Sequence, residues 1–207
     1  MALGQDCILL LNRSQNNYCR FMNFLAHLFL SDNDAPVMVG NFIADAVKGN
    51  HFLDYQRSIA NGILLHRSID VFTDRHPVVA RSKQRLRQKY RKYAGVVVDM
   101  YYDHFLATNW SDYTNVLLET FVSETYQTLH TYASLMPERS QRTLYYMQRS
   151  NWLVGYATFD GLGRALSGLA SRTRFVSHME QAICDLRLDY PAYSQDFSAF
   201  FPDLIRF

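Results

Sequence analysis

The chain has 207 residues, of which 48% are hydrophobic and 19% charged, with a formal net charge of +2. This is one domain's length with ample material for an apolar core, which excludes a disordered chain. The near-neutral balance gives no global sign of a nucleic-acid or membrane partner. Only five prolines and nine glycines occur, favouring long helices over short strands joined by turns. The three cysteines (Cys7, Cys19, Cys184) are odd in number and lack metal-type spacing, which suits a reduced, cytoplasmic protein. No apolar run reaches the length of about eighteen residues that a membrane span needs.

Residues 1–21 read as a poorly structured extension. Their apolar stretch, Cys7 to Leu11, is too short for a signal-sequence core and no small-residue cleavage site follows. The domain is expected over 22–207. Met22–Leu30 predicts an apolar helix carrying His27, broken at Ser31–Asp34. Pro36 suits the first turn of the next helix, which runs until Gly49-Asn50. Asp54 is the expected N-cap of a long helix that stops before Pro77, and a basic helix covers roughly 77–92. Gly95 precedes a triple valine that suggests a strand. Apolar residues at 97, 98, 101, 102, 105 and 106 nevertheless recur at helical spacing, so a helix is expected. Ser111 caps a candidate over 112–135. Further helices are expected at 137–155, 157–169, 172–188 and 192–201, with Pro191 as punctuation. The fold class this predicts is all-α, a single-domain helical bundle.

The segment G-I-L-L-H-R-S-I-D-V-F-T-D at 62–74 spaces His66, Asp70 and Asp74 four residues apart. Each such step turns roughly 40° and rises about 6 Å, so the three share one helical face. Buried among isoleucines and leucines they are costly unless something compensates for lost water, and a divalent cation would. His66 and Asp70 can meet at one ion. Asp74, about 12 Å from His66 along the axis, is a candidate for orienting a ligand, serving a second ion or capping. Similar groups recur in apolar surroundings: His27, Asp45, Asp99, Asp103 and His104. Singly, each has a plain explanation: His27 as a core histidine, Asp74 as a partner of Arg75 or Arg67. Together they fit a mixed nitrogen and oxygen site, whose ligand types suit manganese, iron or magnesium better than structural zinc. Asp99 and Asp103 share a face, with His104 rotated roughly 100° away.

Six segments together resemble the acyl carrier protein phosphodiesterase family, relatives of the HD-domain metal phosphohydrolases. They are M-N-F-L-A-H-L (22–28), G-N-F-I-A-D-A-V-K-G-N (40–50), the 62–74 segment, D-M-Y-Y-D-H-F-L (99–106) with Trp110, and W-L-V-G-Y (152–156) with G-L-A-S-R (168–172). The likeness spans nearly the whole chain after residue 21. The adjacent His-Asp pair usual in HD proteins is absent; His66 and Asp70 one turn apart and a reversed Asp103-His104 stand instead. The resemblance implies an HD-like fold and a hydrolase that removes the 4′-phosphopantetheine arm from holo-acyl carrier protein, with Mn2+ as the cofactor and Fe2+ or Mg2+ as alternatives. His27, Asp45, His66, Asp70, Asp103 and His104 are then expected around one or two ions. Arg67 is the candidate for holding a phosphate oxygen, otherwise a partner for Asp70 or Asp74, and Lys48 is a second candidate. Asp74 would orient a ligand or accept a proton.

Residues 81–93 carry seven Lys and Arg and no acid. Such a run is a solvated face, a phosphate-attracting surface, or, following the resemblance, a docking helix for the acidic carrier protein through Arg85, Arg87 and Lys89. Trp152, Tyr156 and Phe159 sit at helical spacing and pack a core or line a groove for the arm; Arg172 holds substrate or a helix end. Two rival readings remain: a phosphohydrolase acting on nucleotides, and a non-catalytic helical module that binds a carrier protein or nucleic acid.

Overall fold

The computed structural model describes residues 24–207, so the expected N-terminal extension lies outside the described residues. These fold as an all-helical assembly with no strand among them. Eleven α-helices follow in order: α1 (Phe24–Phe29), α2 (Ala35–Ile43), α3 (Arg57–Arg75), α4 (Pro77–Tyr90), α5 (Ala94–Thr108), α6 (Leu118–Thr131), α7 (Glu138–Arg149), α8 (Trp152–Gly155), α9 (Phe159–Arg172), α10 (Ala182–Leu188) and α11 (Tyr190–Arg206). No helix among them is long and apolar enough to cross a membrane.

The central element is α5. Every side chain from Met100 to Ala107 is buried, as expected of a helix that is apolar all round and enclosed by others. This is why the triple valine is helical: Val97 and Val98 are sealed beneath neighbouring helices, and the tertiary burial outweighs the strand preference of β-branched residues. Gly95 lies inside the first turn of α5 and does not separate elements.

Asp34 caps α2 by accepting from Val37 N at 3.1 Å, with Pro36 in the first turn. The chain then tightens into a 3-10 turn at Ala44–Ala46. Asp54 does not cap α3. It closes a separate 3-10 turn, 3.0 Å from His51 Nδ1, and Gln56 occupies the N-cap position. Ser111 likewise falls in a short 3-10 turn, and α6 begins only at Leu118. The helix expected over 137–155 is split at Asn151, which adopts a left-handed φ of 45°. The one expected from 172 starts at Ala182 instead, after a non-helical stretch and a 3-10 turn at Met179–Gln181.

Two glycines set the close approach of α2 and α3. A Cβ on Gly40 would lie 2.0 Å from the Ile59 carbonyl oxygen, and one on Gly62 would lie 2.1 Å from that of Val37. Neither position tolerates a side chain, so α2 and α3 pack backbone to backbone. That approach brings the residues after Gly40 against the face of α3 that carries His66.

The basic run forms α4 as expected, and its charges are largely matched within the chain. Asp196, buried in α11, accepts from Arg81 Nε at 2.8 Å and Ser82 Oγ at 2.6 Å, and also pairs with the Arg85 guanidinium. Burial alone would raise this carboxyl, but the bonds from Arg81, Ser82 and Arg85 outweigh it and hold it below its ordinary value. Lys83 reaches Asp74 and Lys89 reaches Asp185, each at 2.8 Å.

Candidate metal centre

His27 from α1 and His66 from α3 stack with ring centroids 4.0 Å apart, and both side chains are buried. Beyond their Nε2 edges stand two carboxylates. Asp70 Oδ1 lies 3.5 Å from His27 Nε2, and Asp70 Oδ2 lies 3.6 Å from His66 Nε2. Asp45, from the 3-10 turn after α2, places Oδ1 at 3.6 Å from His66 Nε2. His27, His66 and Asp70 each offer a ligand atom, and the three atoms lie within 4.8 Å of one another. The imidazoles form a dry wall, while Asp45 and Asp70 keep 17% and 18% exposure and present the side open to solvent.

One residue that the sequence reading missed organises both imidazoles. Asn41 Oδ1 lies 2.9 Å from His27 Nδ1 and 3.0 Å from His66 Nδ1. Its Nδ2 donates to the His27 carbonyl at 2.7 Å and to Ser31 Oγ at 3.1 Å. That carbonyl only accepts, which fixes the amide orientation and makes Oδ1 the acceptor for both Nδ1–H groups. With a proton on Nδ1, each ring in its neutral form turns its Nε2 lone pair toward the carboxylates. Burial, and then the neighbouring His66, holds His27 below the ordinary histidine range despite the opposing effect of Asp70 and Asp45.

Lone pairs facing carboxylate oxygens at 3.5–3.6 Å repel unless a cation lies between them. Asp45 Oδ2 is also buried with no hydrogen-bond partner. Two imidazole nitrogens and two carboxylates therefore fit a divalent ion bound by nitrogen and oxygen. The arrangement of Asn41 behind them is the kind that fixes tautomer and ring orientation in metal-bound histidines.

The other expected ligands stand elsewhere. Asp103 is fully buried, and its two oxygens accept from Leu25 N at 3.0 Å and Ala26 N at 2.9 Å. It thus caps α1 from a distance and holds the helix that carries His27. Burial pushes its carboxyl up to about 7, against the opposing effect of those two N–H groups. His104 ties three elements together: its Nδ1 donates to the Tyr156 carbonyl at 2.7 Å, and its Nε2 lies 3.2 Å from the Tyr190 hydroxyl. Reversed order in the sequence sends these neighbours to opposite duties, because one helical step rotates His104 away from Asp103.

Of the expected catalytic pair, Asp74 is 59% exposed and bound to Lys83, one turn past the cluster. Arg67 donates to the Val47 carbonyl at 2.9 Å and lies over Phe52, so it braces the turn that presents Asp45. Lys48 is exposed three residues beyond Asp45. Arg85 and Lys89 are engaged with acids of α10 and α11, and Arg87 is exposed on the same helix.

A cleft of about 910 Å3 opens beside the cluster, with Asp45 among its lining residues. Phe24, Phe42 and Met100 contribute apolar surface, and α7 and α9 form the other walls. Tyr156 and Trp152, which the sequence left between core and groove, both line it.

No solved structure matches the chain. A protein of Photorhabdus laumondii called acyl carrier protein phosphodiesterase is 32% identical over 182 residues, covering 87% of this chain and 92% of that protein. Proteins of the same name from Klebsiella pneumoniae and Serratia proteamaculans are 33% and 31% identical, each over 186 residues, 89% of this chain and 96% of theirs. The family described as acyl carrier protein phosphodiesterase matches residues 22–204, a span holding every residue of the cluster. On that coverage and identity, the chain belongs to the acyl carrier protein phosphodiesterase family.

Proposed function

We propose that this protein hydrolyses holo-acyl carrier protein to the apo form and 4′-phosphopantetheine, using a divalent cation, Mn2+ in the first instance, held by His27, His66, Asp70 and Asp45. The observation that carries the reading is the pair of imidazoles whose Nδ1 atoms both meet Asn41 Oδ1, so that their Nε2 edges face two carboxylates. When bound, such a cation acidifies water and shields the charge of a phosphodiester. Asp45 and Asp70 supply the negative charge that offsets the ion, and they line the side from which water and substrate enter. Hydrolysis forms one bond from water oxygen to phosphorus and breaks the bond from phosphorus to the serine oxygen, which leaves with a proton. Kinship with HD-domain phosphohydrolases is supported by the all-helical fold and the histidine–aspartate donor set, although the ligands come from α1, α3 and the turn after α2 and not from an adjacent His-Asp pair.

The test is mass spectrometry of holo-acyl carrier protein incubated with the purified protein and Mn2+. The expected result is loss of the phosphopantetheine mass, abolished by EDTA and reduced about a thousandfold or more in His66→Ala and Asp70→Ala, since losing a ligand removes the ion's contribution. Retained activity in folded His66→Ala protein would refute the ligand set. Cleavage of a nucleotide panel with the carrier protein untouched would move the substrate to nucleotides.

A further inference from the structure

The strongest unassigned feature is the charge around the cleft. Among the described residues, its charged lining consists of Asp45, at the metal cluster, and four arginines: Arg139 and Arg142 on α7, Arg164 and Arg172 on α9. All four arginines are exposed. Arg172 is held in place, with its Nε donating to the Gly168 carbonyl at 2.9 Å and its guanidinium over the Trp152 ring at 5.4 Å. Arg142 has Glu138 at 3.9 Å, a solvent-exposed pair worth little. Two facing helices thus rim an apolar-floored cleft with cations, and the cleft reaches the carboxylate side of the cluster.

The contrast with α4 is informative. In that helix Arg81, Lys83, Arg85 and Lys89 are each paired with an aspartate of this chain, so its field is largely offset internally. Among the described residues, Arg142, Arg164 and Arg172 have no such aspartate pairing, and Asp45 is the one acid of the described lining.

We propose that the α7–α9 cleft, and not the basic helix α4, is the docking face for an acidic protein partner, its arginines meeting the partner's carboxylates while the apolar floor accepts the thin arm that the partner carries. This rests on the proposed reaction for the identity of the partner, but its charge requirement comes from the rim alone. Facing charges of opposite sign steer encounter and fix register, and the guanidinium fork is matched to carboxylate geometry.

The experiment compares R142E/R164E with Arg87→Glu in the Mn2+-loaded full chain. Hydrolysis of holo-acyl carrier protein is followed, with binding of fluorescently labelled apo-acyl carrier protein measured in parallel. The expected result is a KM raised about tenfold or more for R142E/R164E, with a flatter salt dependence, and less than about twofold for Arg87→Glu. If Arg87→Glu raises KM and R142E/R164E does not, the inference falls and the proposed reaction stands. If the wild-type chain leaves holo-carrier protein intact, the reaction falls, and the titration decides the docking face by itself. Binding lost in R142E/R164E upholds it; equal or absent binding overturns it. Tighter binding of a labelled single-stranded RNA than of the carrier protein, abolished by the same reversal, also overturns it. Melting curves check folding, and R142Q/R164Q replaces the reversal should that variant be unstable.

Discussion

Asn41 and His66 lie 25 residues apart in the chain and meet at 3.0 Å, on the same amide oxygen that faces His27 Nδ1. A single carbonyl oxygen thereby decides the protonation pattern of two rings. Replacing it should damage ion binding without removing any ligand. Asn41→Ala is expected to weaken Mn2+ affinity about 10–100-fold, as loss of a group supporting metal-bound histidines does. Isothermal titration with Mn2+ reads this directly. An affinity within twofold of the wild type would show that the rings do not depend on Asn41.

The Gly40–Gly62 crossing that delivers Asn41 to His66 should be intolerant of a single methyl group. Gly62→Ala places a Cβ 2.1 Å from the Val37 carbonyl oxygen, and only backbone movement relieves that overlap. A loss of about 1–3 kcal/mol is expected from overpacking, together with weaker Mn2+ binding as α2 is pushed from α3. Chemical denaturation and the same titration check both. Wild-type stability in Gly62→Ala would refute the backbone contact.

Asp196 tests whether α4 serves the fold. Asp196→Ala would strand Arg81 and Arg85 beside a buried gap. The arginines are partly exposed and regain water, whereas the charged hydrogen bonds of the buried carboxylate are lost at a cost of about 1.5–3 kcal/mol, so the variant should melt below the wild type. A melting temperature equal to the wild type's would return the basic run to the solvated-face reading.

Stability should also respond to pH through Asp99. Burial raises its carboxyl most; Lys83 opposes this, and Asp70, Asp74 and Asp103 add to it, bringing it up to about 7. A carboxyl raised in the folded state contributes stability that is fully present below its ordinary value of 3.8 and is lost as pH rises through 7. Asp99→Asn lacks this loss. In metal-free protein, the stability of the variant relative to the wild type should therefore grow by on the order of 1–3 kcal/mol between pH 4 and 8. Denaturation across that range measures it, and a constant difference would contradict the shift.

How far the sequence carried this outcome depends on the range of the forces involved. Helical spacing is local, so the helical class and the stripe of His66 and Asp70 were legible from 62–74. Asn41 was not singled out, although it lies four residues before Asp45 in an apolar run. A lone buried asparagine says nothing of its partners until two helices are docked. Asp103 and His104 had the right chemistry and the wrong neighbours: which backbone N–H or carbonyl stands opposite is a tertiary fact. The internal partners of the basic run were hidden for the same reason, because the acids that answer it, Asp185, Asp189 and Asp196, lie about a hundred residues downstream. Helix ends failed where short 3-10 turns intervened, at Asp54 and Ser111, since such turns carry no periodic signal.

The residues that grip the candidate ion fall between positions 27 and 70, whereas the arginines rimming the neighbouring cleft fall between 139 and 172. On the proposed reading, the ion and the protein partner are therefore handled by separate stretches of polypeptide. Under the proposed docking face, substitutions confined to two late helices should change which protein client is met while the ion-binding stretch stays as it is.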